Sequence, residues 1–286
     1  MRLDNRSLLG AKCMEAAVKG LPPLPAVVTR ILEETEKEEV SATQIERILS
    51  SDQALVAKVL RIVNSSYYGL AGQVRSVSQA VVILGMQQVR NLVVGVSAMG
   101  LIEAKNPADA EGLKALWRQS FSTAIGARAI GKLRGFGEVQ LELLFVGGLL
   151  SNIGRLFLLA YFPDLYRQVA ELASFKGVPE IEAERPLLGV THKEIGGMLA
   201  EHWKLPCDLT ALIRAEEPPR DPMLCEDYHA IRVASLLAEC GTPEEVGQIS
   251  DASVEAVALG PSELEWLRRE MEMRVRAMAE YCGLAA

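Results

Sequence analysis

Apolar residues in this chain recur at intervals of three and four almost everywhere, and nowhere alternate at two for long. That periodicity restricts the fold to packed helices. Val27, Val28, Ile31 and Leu32 form one stripe behind Pro22-Pro23 and Pro25. Ser41 and Gln44 have capping-box spacing and open a second helix, with Ile45, Ile48 and Leu49 on its inner face. Asp52 is placed to cap a third helix, which turns Leu55, Val56, Val59, Leu60 and Val63 inward. Ser76 and Gln79 repeat the capping spacing, and Gly85 ends that short element. Residues 86–103 carry few charges and read as a central helix. Further helices are expected at about 109–133, 138–149, 151–162, 163–176, 191–203, 206–216, 226–240 and 261–282, with Pro or Gly in most of the gaps. In the last of these, Leu264, Leu267, Met271, Val275 and Met278 make an apolar stripe that must dock on the chain or on a second copy. Hairpin turns, internal repeats, low-complexity tracts and GxGxxG or Walker patterns are all missing from the sequence.

Composition narrows the function classes. The formal charge is −7, and it is uneven: residues 1–100 carry 11 basic and 9 acidic groups, 101–200 carry 11 and 11, and 201–286 carry 8 and 17. An acidic chain without a basic block is a poor partner for a phosphate backbone, so nucleic-acid binding is not expected. The five Cys are scattered without a CxxC pair, which excludes a Cys-based zinc ribbon and fits reduced thiols in a cytoplasm. Cys207, in the first turn of its helix, is expected to be a small core residue. The most apolar window, 141–162, contains Glu142, Asn152 and Arg155, so it reads as a buried helical hairpin broken near Gly147-Gly148 rather than a membrane span. No signal peptide is read at the start of the chain. The expectation is a soluble cytoplasmic protein, away from membranes, with its oligomeric state left open.

Candidate chemistry is sparse. The three His are His192, His202 and His229. His192 and His202 share a helix but lie roughly 15 Å apart on different faces, so they cannot hold one ion. The carboxylates show no loop-like metal spacing, and no GxSxG elbow is present. No catalytic residue, metal ligand or cofactor is assigned. The uncharged loop around Asn64, Ser65, Tyr67, Tyr68 and Gly69 has two readings. It folds back to satisfy local backbone, or it presents a contact surface for a partner.

Several ordered motifs carry a resemblance. Leu21-Pro22-Pro23-Leu24-Pro25, Asp52-Gln53-Ala54-Leu55 leading into Lys58-Val59-Leu60, Asn64-Ser65-Ser66-Tyr67-Tyr68-Gly69, and Ser78-Gln79-Ala80 before Leu84-Gly85 resemble the N-terminal half of an HDOD domain. Trp117 and Ser120, Gly147 through Arg155, Gly189-Val190-Thr191-His192, and Trp203-Lys204-Leu205-Pro206 resemble its second half. The resemblance covers roughly residues 18–240. It implies an all-α fold in which an N-terminal helical bundle packs on a subdomain like that of the HD metal phosphohydrolases. The corresponding division is 1–17 as an N-terminal helical extension, 18–103 as the first subdomain, 104–241 as the HD-like one and 242–286 as a C-terminal helical extension.

In HD enzymes, the resemblance implies, an adjacent His-Asp pair stands where Ser151-Asn152 stands here. An upstream His falls near Gln119, a downstream Asp near Ser235 and a second His pair near Glu216-Glu217. His192 alone keeps its type. A degenerate cleft of Gln119, Ser151, Asn152, Arg155, His192, Glu216 and Ser235 is therefore expected, with the ligand set largely lost. The family further implies bacterial signal transduction, beside or fused to two-component and cyclic-dinucleotide proteins. Three functions compete: a non-catalytic module that binds signalling proteins; a phosphodiesterase rebuilt around His192, Glu216 and Glu217; and a module that retains a nucleotide or other small ligand through Arg155, Gln119, Asn152 and His192 without turnover.

Overall fold

In the computed structural model, residues 5–35, 37, 40–65, 68, 70, 72–103 and 106–282 are described, with side chains described between residues 10 and 276 of that set. Among the described residues there are seventeen helices and no strand. In chain order they are α1 (Asn5–Lys19), α2 (Ala26–Thr35), α3 (Ala42–Leu49), α4 (Gln53–Val63), α5 (Val77–Leu84), α6 (Met86–Leu101), α7 (Pro107–Leu133), α8 (Glu138–Leu150), α9 (Ile153–Tyr161), α10 (Pro163–Lys176), α11 (Glu180–Leu188), α12 (His192–His202), α13 (Cys207–Arg214), α14 (Pro222–Glu239), α15 (Pro243–Gly247), α16 (Ala252–Val257) and α17 (Pro261–Cys282). The fold is all-α, as the periodicity requires.

The caps explain many of the boundaries. The Ser41 hydroxyl accepts from the Gln44 N–H at 3.2 Å, and the Asp52 carboxylate accepts from the Leu55 N–H at 2.9 Å. Each satisfies a first-turn donor that has no partner within the helix. Ser76 does the same for Gln79 at 3.1 Å, but the Gln79 side chain reaches back to the Arg75 N–H, one residue before the expected partner. At α12 the box closes fully: Thr191 accepts from the Glu194 N–H at 3.2 Å while the Glu194 carboxylate accepts from the Thr191 N–H at 2.9 Å.

Several local expectations are corrected. The apolar hairpin breaks at Ser151-Asn152, not at Gly147-Gly148. A β-carbon on Gly148 would stand 2.7 Å from the Ala124 Cα, so that glycine serves close passage of α8 over α7 rather than a turn. Helix α11 is not among the expected helices, and it runs with Pro186 inside it. Helix α14 starts four residues earlier than expected, since the Asp221 carboxylate accepts from the Met223 and Leu224 N–H groups and Pro222 suits the first turn. Cys207 is exposed and not part of the core.

The chain divides into two compact units, each assembled from three stretches. The first comprises Met1–Pro23, Ile102–Trp117 and Leu150–Tyr228; the second comprises Leu24–Leu101, Arg118–Leu149 and His229–Ala286. In the first unit α9 and α13 pack on α12, α10 packs on α11, and α1 lies against α11 and α12. The Trp203 indole N–H donates to the Pro22 carbonyl at 3.4 Å, and His202 Nε2 donates to that of Leu21 at 3.0 Å, which fastens the Pro-rich segment to the end of α12. In the second unit α2, α4 and α5 pack on α6 and bury Val28, Ile31, Val59 and Val81. Helix α17 docks within this unit against α4 and α15, with Leu264, Leu267 and Met271 buried and Val275 partly so. Met278 lies outside the described side chains. The stretch Glu138–Tyr161 is long and apolar enough to cross a membrane, but 89% of its most apolar window is buried inside the protein.

Candidate functional site

The first unit encloses a polar cluster around the turn between α8 and α9. Ser151 and Asn152 form that turn and are buried, because α9 starts one residue later and runs straight into the core with Ile153, Leu156 and Phe157. The Asn152 side-chain amide nitrogen has no hydrogen-bond partner among the described residues. The facing helix α12 starts with His192. A β-carbon on Gly154 would stand 1.9 Å from the His192 carbonyl oxygen, so the two helices touch backbone to backbone. Lys193 donates its ammonium to the Ser151 carbonyl at 3.2 Å and closes the turn from the same side.

His192 is tied inward. Its Nδ1–H donates to Glu184 of α11, at 2.8 Å from Oε1 and 2.9 Å from Oε2, and its backbone N–H donates to Oε2 at 2.7 Å. Glu184 is fully buried and His192 is 4% exposed. Burial raises the Glu184 carboxyl, but the hydrogen bonds and charge of His192 outweigh that and hold it below its ordinary range. Burial pushes the imidazole down to about 4, aided by the Arg155 cation. At neutral pH the pair is therefore a carboxylate receiving two N–H groups from one neutral histidine. Arg155 of α9 stands 3.6 Å from Glu180, and burial with the Glu180 charge pushes the nearby Tyr166 phenol up to about 12.

The remaining cleft candidates lie elsewhere in the chain's contacts. Glu216 is bound by both arms of a latch: Arg185 donates to its two oxygens at 2.9 and 3.1 Å, and Thr191 donates at 2.5 Å. Arg185 also reaches Glu194 at 3.2 Å. Glu217 is exposed. Gln119 and Ser235 belong to the second unit, where Gln119 donates to Glu239 at 3.0 Å. Structure thus gathers Ser151, Asn152, Arg155 and His192, with Glu216 held alongside α12 by its N-cap.

In the loop after α4, Asn64 acts as a clasp. Its side-chain amide donates to the Leu60 and Val74 carbonyls at 3.0 and 2.7 Å and accepts from the Val74 N–H at 3.0 Å. Ser65 is fully buried and Tyr68 half-buried. Tyr67 and Gly69 lie outside the described residues.

Sequence reasoning missed Glu184, the partner that governs His192, and the buried carboxylates Asp227 and Glu142. Eight residues separate Glu184 from His192, across Gly189 in the left-handed conformation (φ 75°), so no helical spacing announces the pair.

A metal centre of the HD type does not fit these side chains. Ser151 and Asn152 offer a neutral hydroxyl and a neutral amide where that site would need a His-Asp pair, and His192 alone does not make up the set.

Fold comparison points the same way as the architecture. A Shewanella amazonensis SB2B protein named as a phosphohydrolase superposes with a TM-score of 0.72 at 24% identity, over 96% of this chain and 99% of its own. An HDOD domain protein of unknown function from Geobacter sulfurreducens gives 0.68 at 22% identity, over 96% and 99%. A Marinobacter aquaeolei VT8 protein named for signal transduction gives 0.71 at 23%, over 99% of this chain and 67% of its own. These likenesses define an all-helical fold shared with those proteins. The model of the HDOD domain family matches residues 21–219, and the chain belongs to that family. An uncharacterized protein of Treponema pallidum (strain Nichols) is 27% identical over 197 residues, which is 69% of this chain and 37% of that protein. The chain therefore spans little more than a third of the length of that curated relative.

Proposed function

We propose that this protein is a non-catalytic module of bacterial signal transduction, working in the cytoplasm by binding partner proteins of two-component or cyclic-dinucleotide systems. The observation that carries the reading is the neutral pair Ser151-Asn152, buried at the α8–α9 turn where an HD-type site places charged or imidazole ligands. Hydrolysis by an HD-type site needs several anionic or imidazole ligands turned toward one cation, which lowers the pKa of a bound water. Here the positions at the α8–α9 turn are the neutral Ser151 and Asn152, and among the described residues His192 stands beside them as a lone imidazole, too few ligands for such a cation. Gly154 against the His192 carbonyl leaves no space between α9 and α12 at that point. A helical scaffold retained without its ligand set suits display of a surface rather than turnover. Membership of the HDOD family and the signal-transduction name of one structural neighbour support the same class.

The test is metal analysis of the purified protein together with hydrolysis of bis-p-nitrophenyl phosphate in added manganese or iron. The expected result is substoichiometric metal and no turnover above the uncatalysed rate. Stoichiometric metal with turnover that His192→Ala abolishes would replace this reading with that of an active phosphodiesterase.

A further inference from the structure

The second unit contains a cavity of about 670 Å³ that shares no residue with the Ser151–His192 cluster. Its walls come from the junction of α5 and α6, from α7, from the start of α8 and from α17. Three cations line it: Arg128 and Lys132, one turn apart on α7, and Arg274 of α17. Two carboxylates face them, Glu138 and Glu142, and Arg128 engages both, at 3.2 and 3.1 Å. Arg274 pairs with Glu270 on its own helix. No carboxylate pairs with Lys132 among the described residues. Partial burial lowers its ammonium below the ordinary range, repulsion from Arg128 and Arg274 lowers it further, and Glu138 and Glu142 oppose them only in part. Cations gathered on facing helices have a field that an anion relieves.

Part of the lining is apolar. Ile83 and Val139 are exposed there, at 44% and 77%, with Met86 beside them. Helix α6 opens at the same place with no acidic residue in its first turn, and its Gln88 donates to the Glu138 carboxylate at 3.3 Å.

We infer that this cavity binds a small organic phosphate, its phosphate held by Lys132 and Arg274 beside Arg128 and its carbon body lying on Ile83, Met86 and Val139. A carboxylate ligand would duplicate what Glu142 already supplies to Arg128, whereas a phosphate has enough oxygens to meet cations from two helices at once. The cavity volume falls in the range of about 300–1,000 Å³ usual for small-molecule sites. The acidic chain as a whole disfavours a nucleic-acid backbone as the source of the phosphate.

Isothermal titration of the full chain with adenosine monophosphate, inorganic phosphate and adenosine tests this. Adenosine monophosphate is expected to bind one per chain, inorganic phosphate more weakly and adenosine not at all. Lys132→Glu should weaken the monophosphate at least about tenfold, a difference easily read by titration. Ile83→Ser should weaken the monophosphate and leave inorganic phosphate unchanged. If Lys132→Glu lowers the melting temperature of the free protein, Arg274→Gln provides the same reading at an independent position. The inference is overturned if neither phosphate compound binds, if adenosine binds as well as its monophosphate, or if the charge substitutions leave the affinity unchanged. None of these outcomes bears on the metal and turnover test of the proposed function, which concerns the other unit.

Discussion

The carbonyl oxygen of His192 stands 1.9 Å from the point a β-carbon on Gly154 would occupy. In an exposed helix, Gly→Ala gains up to about 1 kcal/mol of helix propensity. Here the methyl would meet backbone, which cannot rotate aside, and α9 would have to lift off α12. Gly154→Ala is expected to destabilise the protein by about 3 kcal/mol, at the upper end of overpacking costs. Urea unfolding followed by circular dichroism measures the sign; a stabilised variant would mean the contact yields.

The His192–Glu184 pair makes stability fall in acid. The folded imidazole is pushed down to about 4, below its unfolded value of 6.5. Between those values the unfolded chain takes up a proton that the folded chain refuses, so stability is full above about pH 6.5 and declines as pH drops toward 4. Glu184, held below 4.5 when folded, adds a loss in the same direction at still lower pH. Melting temperatures of wild type and His192→Gln from pH 7.5 to 4 provide the check. The variant keeps a neutral N–H donor and should show the shallower slope over the upper part of that window.

Arg128 neutralises a carboxylate that is 5% exposed, Glu142. Burial raises that carboxyl despite the guanidinium beside it. Removing the cation alone strands the charge, so Arg128→Ala should cost about 3–5 kcal/mol, while the paired change Arg128→Met with Glu142→Leu should recover most of the loss. A double-mutant cycle in chemical denaturation reads the difference.

Much of the fold is legible in the sequence because helix signals are local. Ser41, Asp52 and Ser76 announced their helices and all three cap as spaced. The stripe Leu264, Leu267, Met271 announced a docked face. What failed was whatever depended on a distant partner. Gly148 reads as a breaker until Ala124 is seen beneath it. Helix α11 was missed altogether, and Pro186 lies inside it. The functional cluster was half legible: Ser151, Asn152 and His192 came from motif order, but Glu184 acquires its meaning only when α11 folds onto α12.

Leu267 is fully buried on α17, and Met271 one turn on would contact any β-carbon placed on Gly126 of α7, its sulfur 2.6 Å away. Leu267→Ala is expected to cost about 2–5 kcal/mol, the range for a large-to-small change in a core. The surface pairs of the helix, such as Arg269–Glu265 and Arg276–Glu272, add only about 0.2–0.5 kcal/mol each. Thermal melts of Leu267→Ala against Arg276→Ala should separate the two contributions clearly.

Asn64 makes two hydrogen bonds across the base of its loop to Val74 and a third back to the Leu60 carbonyl of α4. Asn64→Ala leaves the Val74 N–H and carbonyl to find other partners, and a loss of about 1–3 kcal/mol is expected. Asn64→Asp keeps the acceptor for the Val74 N–H but loses both donations, so its melting temperature should fall between those of wild type and Asn64→Ala.

That clasp has an evolutionary corollary. Because one side chain joins residue 64 to residue 74 at both the donor and the acceptor of Val74, the span between them is anchored at its root whatever it contains. Lengthening a flexible loop is cheap, about 0.6 kcal/mol for each doubling. A lineage can therefore lengthen this span at little cost while the clasp holds its two ends in register, provided that the buried Ser65 keeps its place.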